Sequence, residues 1–251
     1  MTCNTKKIDG PLSVVQILAF TSPTLALSLL AAPVTLLPSI FAKYYGLSLV
    51  SLGGVLLFIR AFDSISDILI GFFSDRYCSR YGTRKPFLVV GGLSVLPCAY
   101  FLVFPPGGQV TIYSFTCWSM AFYFAYTLFY IPQYSWAGEL TTLPKERTLI
   151  FTQLSFLGKL AAALFFIIPF FPLFETHEIT PKVLKYSVIF GSLIMLPTLF
   201  ILIRYAPNGL PRIECKNRDV KKNEKKSLYS YISIFKRNKP FQIFVAAYVF
   251  I

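Results

Sequence analysis

Six apolar stretches, at roughly 12–41, 48–73, 86–105, 110–138, 148–173 and 183–205, dominate this chain. Each is near or above the ~20 residues that a helix needs to cross the hydrocarbon core of a bilayer. They predict six transmembrane helices, an all-α integral membrane protein. Composition agrees: of 251 residues, 55% are hydrophobic and 14% charged, against about 25% charged in a soluble domain, and the mean hydropathy is +0.61. A last apolar run, FQIFVAAYVFI from Phe241, has about half the length of a span and reads as the start of a seventh helix. The expected division is a six-helix bundle at 1–205, a basic linker at 206–239 and the beginning of helix 7 at 240–251.

Charge between the runs sets an expected orientation. Lys6 and Lys7 precede the first run, Arg76, Arg80, Arg84 and Lys85 follow the second, Lys145 and Arg147 follow the fourth, and Arg204 to Lys239 is dense in Lys and Arg. The opposite loops hold Lys43, the uncharged PPGGQV and the mixed ETHEITPKVLK. By the positive-inside rule, the N-terminus and these basic loops lie in the cytoplasm. The same loops account for most of the net charge of +13. A nucleic-acid partner is not expected, because no basic groove interleaved with stacking aromatics accompanies the charge. The first run is too long for a signal-peptide core and is kept as a mature helix. No metal-ligand spacing links Cys3, Cys78, Cys98, Cys117 and Cys215, which are expected to stay as thiols. His177 reads as a solvated loop residue. With no nucleophile, metal cluster or phosphate site in evidence, an enzyme is not expected, nor a cofactor.

The charges inside the apolar runs carry the functional information. In RAFDSISD, the spacing of three and four places Arg60, Asp63 and Asp67 on one helix face. Gly53 and Gly71 extend that stripe, which belongs against a bundle interior or a water-filled cavity rather than lipid. One arginine neutralises one aspartate and leaves a carboxylate in excess, so the site calls for a cation, H⁺ or Na⁺. Ser66 adds a hydroxyl beside the carboxylates. The competing reading is an ion pair that only locks this helix to a neighbour. Lys159, inside the fifth run, would balance the second carboxylate if it faces the same cavity, and the sequence leaves that open.

The fourth run, FYFAYTLFYIPQYSWAGE, repeats Tyr123, Tyr126, Tyr130 and Tyr134 at helical spacing, with Thr127 and Gln133 beside them. Rings that carry a hydroxyl suit the faces and edges of a sugar or similar solute. In a chain with 17% aromatic residues, ordinary packing is the alternative. Pro23, Pro33 and Pro38 interrupt the first run and Pro132 the fourth, corresponding places if the six helices are two sets of three.

The stretch RAFDSISDILIGFFSDRYCSRYGTRKPF, from Arg60 to Phe87, resembles helix 2 and the following loop of the glycoside-pentoside-hexuronide:cation symporters. These are the melibiose-permease-like branch of the major facilitator superfamily. YTLFYIPQYSW and LPSIFAKYYGLSL are similar to family segments as well, and the resemblance covers roughly the first 205 residues in order. It implies the N-terminal half of a major facilitator transporter, built as 3+3 inverted repeats in a bacterial inner membrane. It also implies symport of a small organic solute, of the sugar class, with H⁺ or Na⁺. Asp63, Asp67, Ser66 and Thr127 fall on the cation-binding positions, and Arg60 on the accompanying arginine. Gly71, Asp75, Arg76, Arg80, Gly82, Arg84 and Lys85 fall on the cytoplasmic gate motif. Tyr126, Tyr130 and Tyr134 are the candidate solute contacts and Lys159 a second charge-balancing group. Where melibiose-type members place sugar-binding acids, this chain has Leu27 and Tyr130, and Tyr134 stands in place of a tryptophan that stacks on sugar. Family members have twelve helices. The expectation is therefore a truncated or split transporter served by a second chain with helices 7–12, or a remnant that acts as a membrane scaffold or has no activity.

Overall fold

The computed structural model describes residues 12–104, 111–172 and 178–206. Lys6, Lys7, Cys3, Cys215 and His177, nearly all of the expected linker, and the expected seventh helix lie outside them. The described residues form α1 (Val14–Thr21), α2 (Pro23–Tyr45), α3 (Leu49–Tyr81), α4 (Lys85–Val103), α5 (Ile112–Glu139), α6 (Pro144–Ile167, with a 3-10 turn at Ile168–Phe170) and α7 (Pro181–Tyr205). No strand occurs among them.

The helix ends follow from local chemistry. Pro23, Pro144 and Pro181 open their helices, where a missing N–H costs nothing. Gly46 and Gly82 close α2 and α3 at φ +69° and +71°, left-handed values that other residues resist. α3 runs eight residues past the expected end of its apolar run, because FSDRYCSRY continues as a polar helix until Gly82 stops it.

α1 and α2 together make one span, Val14–Tyr45, and α4, α6 with its 3-10 turn, and α7 are also long and apolar enough to cross a membrane. α3 and α5 have the length, at 33 and 28 residues. Their hydropathy is lowered by the charges of α3 and by the tyrosines, hydroxyls and Gln133 of α5. The two polar helices are those that carry the candidate site.

α2 packs on α6 and α7, α5 packs on α3 and α4, and α4 meets α7. With α1 and α2 counted as one span, exchanging the first three spans for the last three maps this pattern onto itself. An odd number of helices per unit makes the second unit enter the bilayer from the opposite face, as in inverted-repeat transporters.

Small residues bring the helices close. A Cβ on Gly91 of α4 would stand 2.6 Å from the backbone nitrogen of Phe129 in α5. One on Gly191 of α7 would stand 2.9 Å from Leu30 of α2. Such contacts are the usual currency of helix packing in lipid. Phe20, Leu27, Phe122, Phe129 and Trp136 fill the centre of the bundle.

Prolines inside the helices free carbonyls that lipid cannot satisfy. Pro23 lacks the N–H that would reach Ala19, and the Ser22 hydroxyl donates to that carbonyl at 3.2 Å. Pro33 likewise leaves Leu29, whose carbonyl accepts from the Ser187 hydroxyl of α7 at 3.4 Å. Pro33, Pro38 and Pro132 sit within continuous helices. The helix break falls at Ser22, just before Pro23.

Candidate functional site

The α3–α5 contact brings the charged stripe to a hydroxyl. Thr127, buried on α5, donates through Oγ1 to Asp63 Oδ1 at 3.1 Å. Arg60 Nη1 lies 3.8 Å from the other carboxylate oxygen, Oδ2, and its guanidinium stacks 5.1 Å from the ring centre of Tyr123. Asp67 stands one turn on, half-buried, and forms no hydrogen bond or ion pair among the described residues. Ser66 is buried, and its hydroxyl donates to the Asp63 backbone carbonyl at 2.9 Å, leaving its oxygen lone pairs available. Carboxylate and hydroxyl oxygens on facing helices are the donor set that a hard monovalent cation or a proton uses. The glycines of the stripe differ: Gly71 approaches Ile131 of α5, while Gly53 has open space around it.

Lys159 is exposed on α6. No ion pair joins it to Asp63 or Asp67, and α6 packs chiefly on α2. α3, which bears the carboxylates, packs chiefly on α5 instead.

The tyrosines of α5 form a continuous ladder. Tyr126 stacks on Tyr130 at 5.5 Å, Tyr130 on Tyr134 at 4.3 Å, and Tyr134 reaches Phe151 of α6 at 6.0 Å. All three tyrosines are partly exposed. Leu27 is buried in the core and offers no polar contact at that position.

At the α3–α4 junction a second charged group assembles. Arg84 is only 2% exposed. Its Nε and Nη2 donate to Glu139 at 3.2 and 2.8 Å, its Nη1 to the Ser74 hydroxyl at 2.9 Å, and Nη2 also lies 2.7 Å from Asp75 Oδ1. Burial alone would lower the guanidinium pKa, but the hydrogen bonds it donates to Glu139 and Asp75 more than offset this and hold it above its ordinary range. Lys85 donates to the Ile203 carbonyl near the end of α7 at 3.1 Å. Arg76 and Arg80 are exposed, the latter beside the Tyr81 ring. Glu139 is the residue that sequence reasoning missed. It ends a helix read for its tyrosines, Thr127 and Pro132, and an acid at that place opposite an arginine-rich loop was the available signal.

Gln133, noted only as a neighbour of the tyrosines, is fully buried. Its Nε2 donates to the Phe20 carbonyl at 3.3 Å and to Thr24 Oγ1 at 3.0 Å, across the α1–α2 break. The freed end of the broken span is therefore held by α5.

A helical bundle of paired three-helix units, with polar helices set among apolar spans, defines a multi-pass membrane protein of the transporter type. The chain belongs to the MFS/sugar transport protein family, whose model matches residues 19–251. A comparison with curated proteins finds no match to it. The family match establishes the major facilitator superfamily and points to a transporter rather than an enzyme. The narrower symporter resemblance rests on the residues quoted above.

Proposed function

We propose that this protein is a cation-coupled symporter, driven by H⁺ or Na⁺, for a small organic solute of the sugar class. In this reading it lies in a bacterial inner membrane with its N-terminus in the cytoplasm. The observation that carries the proposal is the Thr127–Asp63 hydrogen bond at 3.1 Å, which turns a charged face on one helix into a two-helix oxygen site. Asp63, Asp67, Ser66 and Thr127 bind the cation, and Arg60 offsets one carboxylate. The remaining negative charge is neutralised only when the cation is bound, and this links occupancy to movement of the helices. Tyr126, Tyr130 and Tyr134 contact the solute on the same helix that supplies Thr127, so cation and solute bias one element. The Arg84 cluster acts as a gate whose contacts form and break as the pathway opens alternately to each side. The reading calls for a second set of six helices facing this one, with solute held between the sets.

Uptake of labelled monosaccharides into proteoliposomes, with imposed Na⁺ or H⁺ gradients, tests it. Asp63→Asn and Asp67→Asn are each expected to abolish gradient-driven uptake. Unchanged uptake with its cation dependence preserved in either variant would overturn the proposal.

A further inference from the structure

α6 and α7 both pack on α2, and they meet each other chiefly through the 3-10 turn at Ile168–Phe170. A crevice is left between them. Its floor is Leu29 of α2, one wall is Leu164, Ile168 and Phe171, the other is Tyr186 and Phe190 of α7, and it holds about 310 Å³. None of the residues that line it is charged. Both helices are apolar spans, and Tyr186 and Phe190 are half-exposed, so the crevice opens sideways onto hydrocarbon. A water held there would need about two to four polar partners, and the carbonyl of the floor residue, Leu29, already accepts from Ser187.

The chemistry changes at one end. Lys182, Tyr186 and Phe190 follow at intervals of four and form one stripe along α7. Lys182 lies in the first turn of the helix, about 6 Å along the axis from Tyr186 and about 12 Å from Phe190. A helical side chain leans toward the N-terminus, and a lysine extends its ammonium toward water, so this charge sits at the membrane surface above the crevice. Tyrosine is the residue that suits the same boundary. Glu178, the acid described at this end, is taken by Lys43 at 2.9 Å, and Lys185 lies 4.7 Å over the Phe104 ring of α4. Lys182 is exposed and makes no ion pair among the described residues.

We infer that this crevice is a binding site for one anionic phospholipid. An acyl chain lies between α6 and α7 on the Leu29 floor, and the phosphate meets Lys182. A zwitterionic lipid offers the same chain but carries its own cation in the headgroup, so the lysine selects phosphatidylglycerol over phosphatidylcholine. The bound chain joins two helices that otherwise touch mainly at the 3-10 turn. Such a site needs only the membrane spans and holds whatever the transported solute.

The test places the full chain in nanodiscs of equal phosphatidylglycerol and phosphatidylcholine, with a photoactivatable group in the acyl chain of one lipid or the other, and maps the crosslinks by peptide mass spectrometry. Labelling at Leu164, Ile168, Tyr186 and Phe190 is expected to be about fivefold stronger from phosphatidylglycerol, the worth of one lysine at a membrane surface. Tyr113, exposed at the start of α5 beside the uncharged PPGGQV, should be labelled equally by both. Lys182→Gln should remove the preference at the crevice and Lys182→Arg keep it. Ile167→Trp, at the half-exposed rim, should fill the crevice and cut its labelling by both lipids. Equal labelling of the crevice by the two lipids, labelling by neither, or a preference unchanged in Lys182→Gln overturns the inference.

Discussion

Replacing Glu139 by glutamine keeps its volume and removes one of two carboxylates from an arginine that is 2% exposed. The guanidinium retains Asp75 at 2.7 Å and the Ser74 hydroxyl, so its charge is not left wholly unpaired. Stripping a buried ion of its sole partner costs about 3–5 kcal/mol. Here one acid remains and Glu139 is a third exposed. The loss is therefore closer to that of charge-assisted hydrogen bonds, about 1.5–3 kcal/mol. For a chain of this size that is a fall in Tm of roughly 4–10 °C, read by thiol-reactive dye or size-exclusion melting in detergent. The raised Arg84 pKa contributes stability that is fully present below the guanidinium's ordinary titration range and lost only above it, so the guanidinium stays charged at every usable pH. Arg84→Gln should be at least as damaging. The double variant should be no worse than Arg84→Gln alone, because the second change then removes an acid whose partner is gone. A melting point for Glu139→Gln within about 1 °C of the parent, or losses that simply add, would refute the reasoning.

Further expectations are narrower. Thr127→Val removes the donor to Asp63 while keeping the shape, and should weaken cation dependence of uptake about tenfold; Thr127→Ser should retain it, and equal behaviour of the two would disprove the hydrogen bond's role. Gly91→Ala places a methyl 2.6 Å from backbone that cannot step aside, so it should lower Tm by several degrees; Gly53→Ala, with open space around it, should not, and equal shifts would contradict the packing.

The spans were legible because hydrophobic length is a local property. The predicted runs and the helices agree to within a few residues, except where α3 continues as a polar helix and where Ser22 and Pro23 divide the first span. Proline alone did not disclose that division: Pro33 and Pro38 lie inside continuous α2, while Pro23 opens it. The carboxylates of α3 were legible from spacing. The contact of Asp63 with Thr127 depends on how α3 and α5 dock, which the residues of neither helix state. The placement of Lys159 away from those carboxylates depends on α6 packing against α2, a long-range matter. Glu139 and Gln133 were illegible for the same reason, since each gains its meaning from a partner at least 55 residues away.

The carbonyl left free by Pro33 has consequences for how the protein is made. Its donor, Ser187, is 158 residues further along the chain, and Gln133, which serves Phe20, is 113 residues on. At typical rates of synthesis, the ribosome needs roughly 8–30 s to traverse the longer interval. The first span thus enters the bilayer with exposed backbone that only the fourth and sixth can satisfy. Its hydrogen bonding is therefore expected to be completed late although it is synthesised first, when α5 and α7 pack against it.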